Sequence, residues 1–311
     1  MEYARHRLRP WITLASSLVL ATLVLCSQAL AAPSQQPDAI ALGQGLLWKV
    51  EKQGQQPSYV FGTMHVGDAE VTTLAPPVQQ AFSSARVLLT ELKMDYATIA
   101  AVMRNMYYGD ERTLLAITGQ ELFEQVAERL AALGISRQAA LKMRPWAVMS
   151  VLGVAQLEDG GASAGQGLDI QLYTDAMRQG KQVEALETAD EQLAVFENLP
   201  KQAKVDMVRS VVADKQKTRA EFKKIREAYL ARDLKRLMEM AVEEANGEYG
   251  QFMQAFNREG IVERNHRMIT RMQKYLDGGA AFVAVGALHL PGDTGILRLL
   301  EQRGFRVTPV Y

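Results

Sequence analysis

The segment Ala281-Phe282-Val283-Ala284-Val285-Gly286-Ala287-Leu288-His289 is the part of the sequence that most constrains the fold. It is a short apolar run that leads into a glycine, and a histidine follows three residues later. The same Gly-x-x-His frame, Gly62-Thr63-Met64-His65, follows the apolar run at residues 58–61 near the other end of the chain. A short, uninterrupted apolar run is typical of a buried strand, so each frame is predicted to follow one.

Two of the four histidines of the chain, His65 and His289, occupy these frames, and each frame is followed closely by Gly-Asp, at residues 67–68 and 292–293. In open α/β sheets, ligands and chemistry are found at the carboxyl ends of strands. Two imidazoles brought together there would suit a metal site or an acid–base site. We therefore predict that His65 and His289 lie near each other.

Strand and helix patterns alternate along the body of the chain. Strands are predicted at residues 46–50, 58–61, 86–92, 181–186, 281–285 and 306–310, and the first two form a hairpin. Helical periodicity covers most of residues 96–160 and 191–276. The pattern predicts an α/β fold with a mixed central sheet and a large helical insertion.

Four polar residues follow predicted strands: His65, Glu91, Glu187 and His289. If these strands are neighbours and mainly parallel, all four residues project at one edge of the sheet. Two imidazoles with one or two carboxylates are a common ligand set for a divalent metal, and a spare carboxylate could act as a base.

A predicted helix at residues 261–276 places Asn265 on its apolar stripe, where a buried amide needs hydrogen-bond partners. Arg264 is its neighbour and could pair with a site carboxylate, Glu91 or Glu187. We therefore expect both residues to support the site.

Composition and motifs exclude several classes of function. The 311 residues carry 35 basic and 35 acidic side chains without a basic block, so a nucleic-acid partner is not expected. Hydrophobic residues make up 48% of the chain and charged residues 23%, as in ordinary globular proteins. His-Glu-x-x-His does not occur, which excludes the zincin helix.

The N-terminus has the pattern of a secretory signal peptide. Arg5, Arg7 and Arg9 precede an apolar run at residues 12–26, and Ala29-Leu30-Ala31 is a small-residue cleavage site. We predict a signal peptide at residues 1–31, a tether at 32–45 and the folded domain at 46–311, in a secreted or periplasmic protein; an uncleaved anchor is the alternative. Cys26 is the only cysteine, so the mature chain excludes cysteine catalysis.

Several of these motifs together resemble the TraB/PrgY/GumN family, most closely its bacterial GumN or YbaP-like branch. The resemblance extends over residues 46–311. It rests on both Gly-x-x-His frames, Glu91, Gly167-Leu168-Asp169, Leu186-Glu187-Thr188, Glu263-Arg264-Asn265 and the C-terminal block at residues 285–292. That family is related to the animal Tiki metalloproteases and is grouped with the erythromycin esterase and ChaN-like (EreA/ChaN-like) fold.

The resemblance implies a metal-dependent, peptidase-like site built from the two frames and a glutamate. We assign His65, Glu91 and His289 as ligands of a divalent ion of the Mn, Co or Zn class. Glu187 and Arg264 are the candidate catalytic residues, acting on a peptide or small-molecule substrate. The supporting residues are Gly62, Asp169, Asn265 and Gly286.

Three alternatives remain open at this point. One is a non-catalytic protein that binds haem, as ChaN-like relatives do, or a peptide signal. A second is an envelope interaction protein. The third is a hydrolase without a metal, in which His65 and Glu91 act as acid and base.

Overall fold

The computed structural model describes residues 43–159, 167–212, 215–247 and 249–311. The predicted signal peptide and nearly all of the predicted tether precede residue 43 and so lie outside the described residues. Among the helices in these ranges, none is both long enough and apolar enough to cross a lipid bilayer.

A six-stranded mixed sheet forms the centre of the described chain. Its strands are β1 (Leu47–Glu51), β2 (Ser58–Thr63), β3 (Val87–Thr90), β4 (Gln182–Ala185), β5 (Ala281–Gly286) and β6 (Arg306–Pro309). They lie in the order β4-β3-β5-β2-β1-β6, and the four from β4 to β2 are parallel. β1 runs antiparallel to both β2 and β6. The prediction of an α/β fold with a mixed sheet is therefore confirmed.

The middle strands are apolar because they are buried on both faces. All four residues of β3 and the first five of β5 are buried. Parallel strands covered on both faces read as continuous apolar runs, which accounts for the pattern in the sequence. Phe282 of β5 packs on Phe61 of β2 and on Phe82, with ring centroids 5.9 and 5.4 Å apart.

Helices form most of the remaining structure. They are α1 (Ala69–Thr72), α2 (Pro76–Ser84), α3 (Tyr96–Asn105), α4 (Leu114–Thr118), α5 (Gln120–Ala132), α6 (Arg137–Lys142), α7 (Pro145–Asp159), α8 (Leu168–Arg178), α9 (Ala189–Glu197), α10 (Lys201–Val212), α11 (Lys215–Leu230), α12 (Leu234–Ala245), α13 (Gly250–Phe256), α14 (Glu263–Gly278) and α15 (Ile296–Gln302). A π-helix (Asn257–Val262) joins α13 to α14, and a 3₁₀ turn (Ala287–His289) follows β5.

Buried apolar residues form two separate cores. The first packs the sheet against α2, α8, α14 and α15. The second lies among the helices and includes Phe123, Trp146, Phe252 and Phe256. The helices α3 to α8 connect β3 to β4, and α9 to α14 connect β4 to β5. The helical core is thus built from the two long connections that leave the carboxyl edge of the sheet.

Two helical boundaries differ from the sequence pattern. The first part of the stretch predicted as helical at residues 191–276 is divided among α9 to α12. Pro200 stands at the break before α10, where its ring cannot continue the preceding helix. The helix predicted to begin at residue 261 begins as α14 at Glu263, because Ile261 belongs to the π-helix. Sequence periodicity does not distinguish a π-turn from regular helix.

Candidate active site

The two Gly-x-x-His frames lie side by side because β2 and β5 are parallel neighbours. Gly62 pairs with Val285, and Thr63 pairs with Gly286. A Cβ atom on Gly62 would lie 3.0 Å from Cα of Ala287, so the close approach of the two frames requires a glycine there. The predicted proximity of the two histidines follows from this pairing.

Three polar side chains converge on Gly286. A Cβ atom placed on this glycine would lie 3.4 Å from Oε1 of Glu91, 3.6 Å from Cδ2 of His289 and 3.6 Å from Nε2 of His65. Nε2 of His289 lies 3.8 Å from Oε1 of Glu91. All three side chains are buried. The structure thus brings together the three residues assigned as metal ligands.

His65 is held through its other ring nitrogen by Asp169, at the start of α8. The distance from Nδ1 to Oδ2 of Asp169 is 2.5 Å, and the Thr63 hydroxyl donates to Oδ1 at 2.7 Å. Burial by itself lowers the pKa of His65, but the Asp169 carboxylate outweighs it, and the net pKa is raised. Nε2 of His65 is buried and has no hydrogen-bond partner in the described chain.

His289 is held by an amide instead of a carboxylate. Nδ2 of Asn265 donates to the backbone carbonyls of His289 and Thr294 at 3.3 and 2.8 Å. Its Oδ1 therefore faces the imidazole and accepts from Nδ1 of His289 at 2.6 Å. Burial, with the nearby Arg264 cation second, lowers the pKa of His289 to about 4. The neutral ring presents the lone pair of Nε2 to the site.

Glu91 is fixed with one oxygen towards the imidazoles. Its Oε1 accepts from the backbone N–H of Gly286 at 2.7 Å. Its Oε2 accepts from Arg264 at 2.6 Å and from the Gln192 amide at 3.1 Å. Burial alone raises the pKa of Glu91, but Arg264 and the imidazoles outweigh it and hold the pKa well below its usual range. Glu91 is therefore a carboxylate at neutral pH.

Glu187 lies beside Glu91 but interacts with arginines. The backbone pairing of β3 with β4 continues past both strands, and the Glu187 N–H donates to the Glu91 carbonyl at 2.9 Å. Oε2 of Glu187 accepts from Nε of Arg264 at 2.8 Å, and Oε1 accepts from Arg267 at 2.7 Å. The predicted pairing of Arg264 with a site carboxylate is thus found with both. Glu187 acts on the site through Arg264.

A small cavity adjoins these groups. Its volume is about 50 Å³, and its lining includes His65, Glu91, Gly286 and His289. Tyr229 of α11 also lines it and donates its hydroxyl to the Gly62 carbonyl at 3.0 Å, which joins α11 to the first frame. The cavity is therefore bounded by the carboxyl edge of the sheet and by the helices above it.

Three polar side-chain atoms lie close together at this point. They are Oε1 of Glu91, Nε2 of the neutral His289 ring and Nε2 of His65. Acceptors that face one another repel unless a cation or a proton lies between them. As they stand, the described residues contain no set of three His, Cys, Asp or Glu side chains at metal-binding spacing. Oε1 of Glu91, Nε2 of His65 and the His289 ring nevertheless all lie beside Gly286.

A family model describes almost the whole described chain. The model of the TraB/PrgY/gumN family matches residues 46–309. This chain belongs to that family. The match includes every residue assigned to the site, from Gly62 to His289, as the sequence motifs predicted.

Among curated proteins, the uncharacterized protein YbaP of Shigella flexneri is 26% identical to this TraB/PrgY/gumN member over 147 residues. The aligned part is 47% of this chain and 54% of YbaP, so the chain spans about half the length of that relative. No solved structure matches the chain.

Sequence patterns did not identify several residues that fix the site of this family member. Gln192 bridges the two glutamates, donating to Glu187 as well at 3.3 Å, but it follows no strand. Thr63 belongs to the first Gly-x-x-His frame, but the sequence pattern does not indicate its contact with Asp169. Arg267 carried a usable signal, because it lies three residues after Arg264 and i,i+3 residues share a helix face.

Proposed function

We propose that this TraB/PrgY/gumN-family protein is a metal-dependent hydrolase, peptidase-like in its chemistry. His65, Glu91 and His289 would hold a divalent ion of the Mn, Co or Zn class. The observation that supports the proposal is the convergence of Nε2 of His65, the His289 ring and Oε1 of Glu91 on Gly286, with Nε2 of His289 3.8 Å from that oxygen. Imidazole and carboxylate donors fit such an ion.

The surrounding residues support this assignment. Ligating histidines almost always donate their other N–H to a carboxylate or carbonyl group, which fixes the ring and raises its basicity. Asp169 and Asn265 occupy this position for His65 and His289. Arg264 engages Oε2 of Glu91 and leaves Oε1 directed at the imidazoles.

A bound divalent ion would supply a water molecule of lowered pKa as the nucleophile. The residues of the chain do the rest. The buried Arg264 cation lies beside Glu91 and Glu187 and can stabilise negative charge that develops in the site. Glu91, Glu187 and Arg264 are buried, which strengthens these interactions.

The experiment is metal analysis of purified wild type and of His65→Ala and His289→Ala. We expect one tightly bound ion in the wild type and its loss in both variants, with circular dichroism unchanged. His266 is exposed, so His266→Ala is the matched control and should keep the ion. Unchanged metal content in the soluble His65→Ala and His289→Ala variants would show that the histidines have a structural role.

A hydrolase without a metal is the second candidate, and the His65–Asp169 pair favours it. A buried imidazole whose Nδ1 is held by a carboxylate can act as a general base through Nε2. Turnover that survives exhaustive chelation, but is lost in Asp169→Asn, would favour this candidate. A haem-binding role is less well supported, because haem needs a pocket of several hundred Å³ and this cavity has about 50 Å³.

Two broader assignments belong to the same proposal. The parallel strands with site residues at their carboxyl edge support an erythromycin esterase and ChaN-like (EreA/ChaN-like) sheet. The basic, apolar and Ala-x-Ala segments of residues 1–31 support export to the periplasm or the exterior. N-terminal sequencing of the protein recovered from each cell fraction tests the export, and a mature chain starting near residue 32 is the expected result.

A further inference from the structure

The cavity beside the candidate metal site has two chemically different walls. The polar wall is formed by the groups that converge on Gly286. The other wall is aliphatic, and its side chains come from α11, α12, the π-helix and the second frame. They are Ile225, Leu237, Ile261 and Leu288.

The aliphatic wall reaches the mouth of the cavity. Leu237 is 4% exposed, whereas Ile225, Ile261 and Leu288 are half-buried and so border solvent. The lining contains no lysine or arginine. A group that enters must therefore pass aliphatic side chains before it reaches the carboxylate and the imidazoles.

The position of Ile261 is fixed by the π-helix. Nη1 of Arg264 donates to the Gly260 carbonyl at 3.0 Å. A Cβ atom on Gly260 would lie 2.7 Å from the Phe256 ring, so this turn closes onto the helical core only with a glycine. π-turns inside α-helices are frequent at functional sites. Here the π-helix places Ile261 and the buried Arg264 beside the candidate site.

We infer that the cavity receives a small aliphatic group of the substrate, of about two to four carbons, next to the bond that is hydrolysed. A single water needs roughly 10–15 Å³ of cavity volume, and this cavity has about 50 Å³. An acidic or basic group that lies against the aliphatic wall would be buried there without a partner. The site thus selects peptides with a small aliphatic residue flanking the scissile bond. This inference rests on the proposed metal-dependent hydrolase.

Alkyl hydroxamates test the inference by binding, without turnover. Their common head binds a metal ion while the tail varies from aceto- through propiono- to butyrohydroxamate. Calorimetry would use the full mature chain loaded in parallel with Mn²⁺, Co²⁺ or Zn²⁺. We expect affinity to rise about fourfold for each added methylene. Succinohydroxamate, whose tail ends in a carboxylate, should bind at least tenfold more weakly than butyrohydroxamate.

The outcomes separate the inference from the function on which it rests. If acetohydroxamate binds none of the metal-loaded forms, the proposed metal site is wrong. If acetohydroxamate binds and the longer or charged tails make no difference, the metal site stands and the aliphatic selection is wrong.

Substitutions in the wall provide the second measurement. Ile261→Ala should reduce the affinity gained with each added methylene, and Ile261→Val should give a gain between those of this variant and the wild type. Leu133 is 46% exposed on the surface and does not line the cavity, so Leu133→Ala is the control. Equal tail dependence in Ile261→Ala and Leu133→Ala would overturn the assignment of this wall.

Discussion

The two Gly-x-x-His frames lie at the same edge of the sheet but have different electrostatic surroundings. Each follows a parallel strand, and each places an imidazole next to Gly286. His65 is held by the carboxylate of Asp169 and has a raised pKa, whereas His289 is held by the amide of Asn265 and has a pKa lowered to about 4. A repeated sequence motif therefore does not imply a repeated role, because the partner of each histidine lies on a distant helix.

Among the substitutions that test this comparison, those of Arg264 are expected to have the largest effect on the stability of the protein. It is 1% exposed and pairs with both Glu91 and Glu187. Arg264→Met should destabilise the protein by about 3–5 kcal/mol, because it leaves two buried carboxylates unpaired. In urea unfolding, the exposed ion-pair variant Arg236→Met is the control and should change stability by at most about 1 kcal/mol. Similar losses in the two variants would contradict the buried network.

The conservative variant Arg264→Lys tests the geometry of the same residue. A lysine keeps the charge but cannot donate in a planar fork to Glu187, Glu91 and the Gly260 carbonyl together. We therefore expect Arg264→Lys to fold but to lose activity or ligand binding. Wild-type activity and ligand binding in this variant would show that the site does not depend on the guanidinium.

The pH dependence of stability should separate the two histidines. The pKa of His289 is about 4 in the folded protein and 6.5 in its reference state. As pH falls, His289 is therefore protonated in the unfolded chain before it is protonated in the folded protein. Protonation of this residue alone should lower the stability by about 3 kcal/mol between pH 6.5 and 4. Denaturation of the metal-free protein should show this loss in the wild type, and His289→Gln should lack that share of it.

His65 should behave in the opposite sense. Its pKa is raised in the folded protein, so its contribution is present below pH 6.5 and is lost as pH rises through the folded value. His65→Gln should therefore remove stability at low pH and have less effect at high pH. The same pH profile for His65→Gln and His289→Gln would contradict the assigned partners.

Exchanging the partners should produce an intermediate effect. Asp169→Asn gives the first frame the amide found in the second, which should lower the pKa of His65 and weaken metal binding by about 10- to 100-fold. Asn265→Asp should raise the pKa of His289. It should also destabilise the protein by about 1–3 kcal/mol, since the carbonyls of His289 and Thr294 lose their donor. NMR titration of the imidazoles measures both pKa shifts, and unshifted pKa values would contradict the roles assigned to Asp169 and Asn265.

The smallest effect is expected at the Gly-Asp pairs that follow the frames. Asp68 accepts from Glu70 N–H and pairs with Arg226 of α11 at 2.8 Å, whereas Asp293 is exposed and forms no ion pair with the described residues. Asp68→Asn should cost up to about 1 kcal/mol at low salt and less at high salt. Asp293→Asn is the matched control, and equal costs would mean that the Asp68 ion pair contributes nothing.

Much of the fold could be predicted from the sequence because its signals are local. The strands of the sheet are short apolar runs, and the site residues that follow them, such as His65 and His289, share an edge once those strands are parallel neighbours. The strand order is not a local property. Glu187 follows a strand as Glu91 does, but β4 is the outermost strand of the sheet, two positions from β5. Its carboxylate therefore meets arginines of α14 instead of the imidazoles.

Partners that are distant in sequence also could not be predicted. Asp169 could be placed at a helix start, but its contact with His65 spans 104 residues. Gln192 contacts Glu91 across 101 residues and belongs to no recognisable motif. Such pairings depend on how whole helices pack against one another. The periodicity within one helix contains no information about that packing.

The pairing of β2 with β5 also determines when the site can first exist. Folding slows as the residues in contact lie farther apart in the chain, and Gly62 meets Val285 across most of the described sequence. A growing polypeptide that has not reached residues 281–289 lacks the strand between β3 and β2, and it lacks His289. The site is therefore completed only after residues 281–289 have been synthesised, and a nascent chain that has not reached them has no assembled site with which to act on its surroundings.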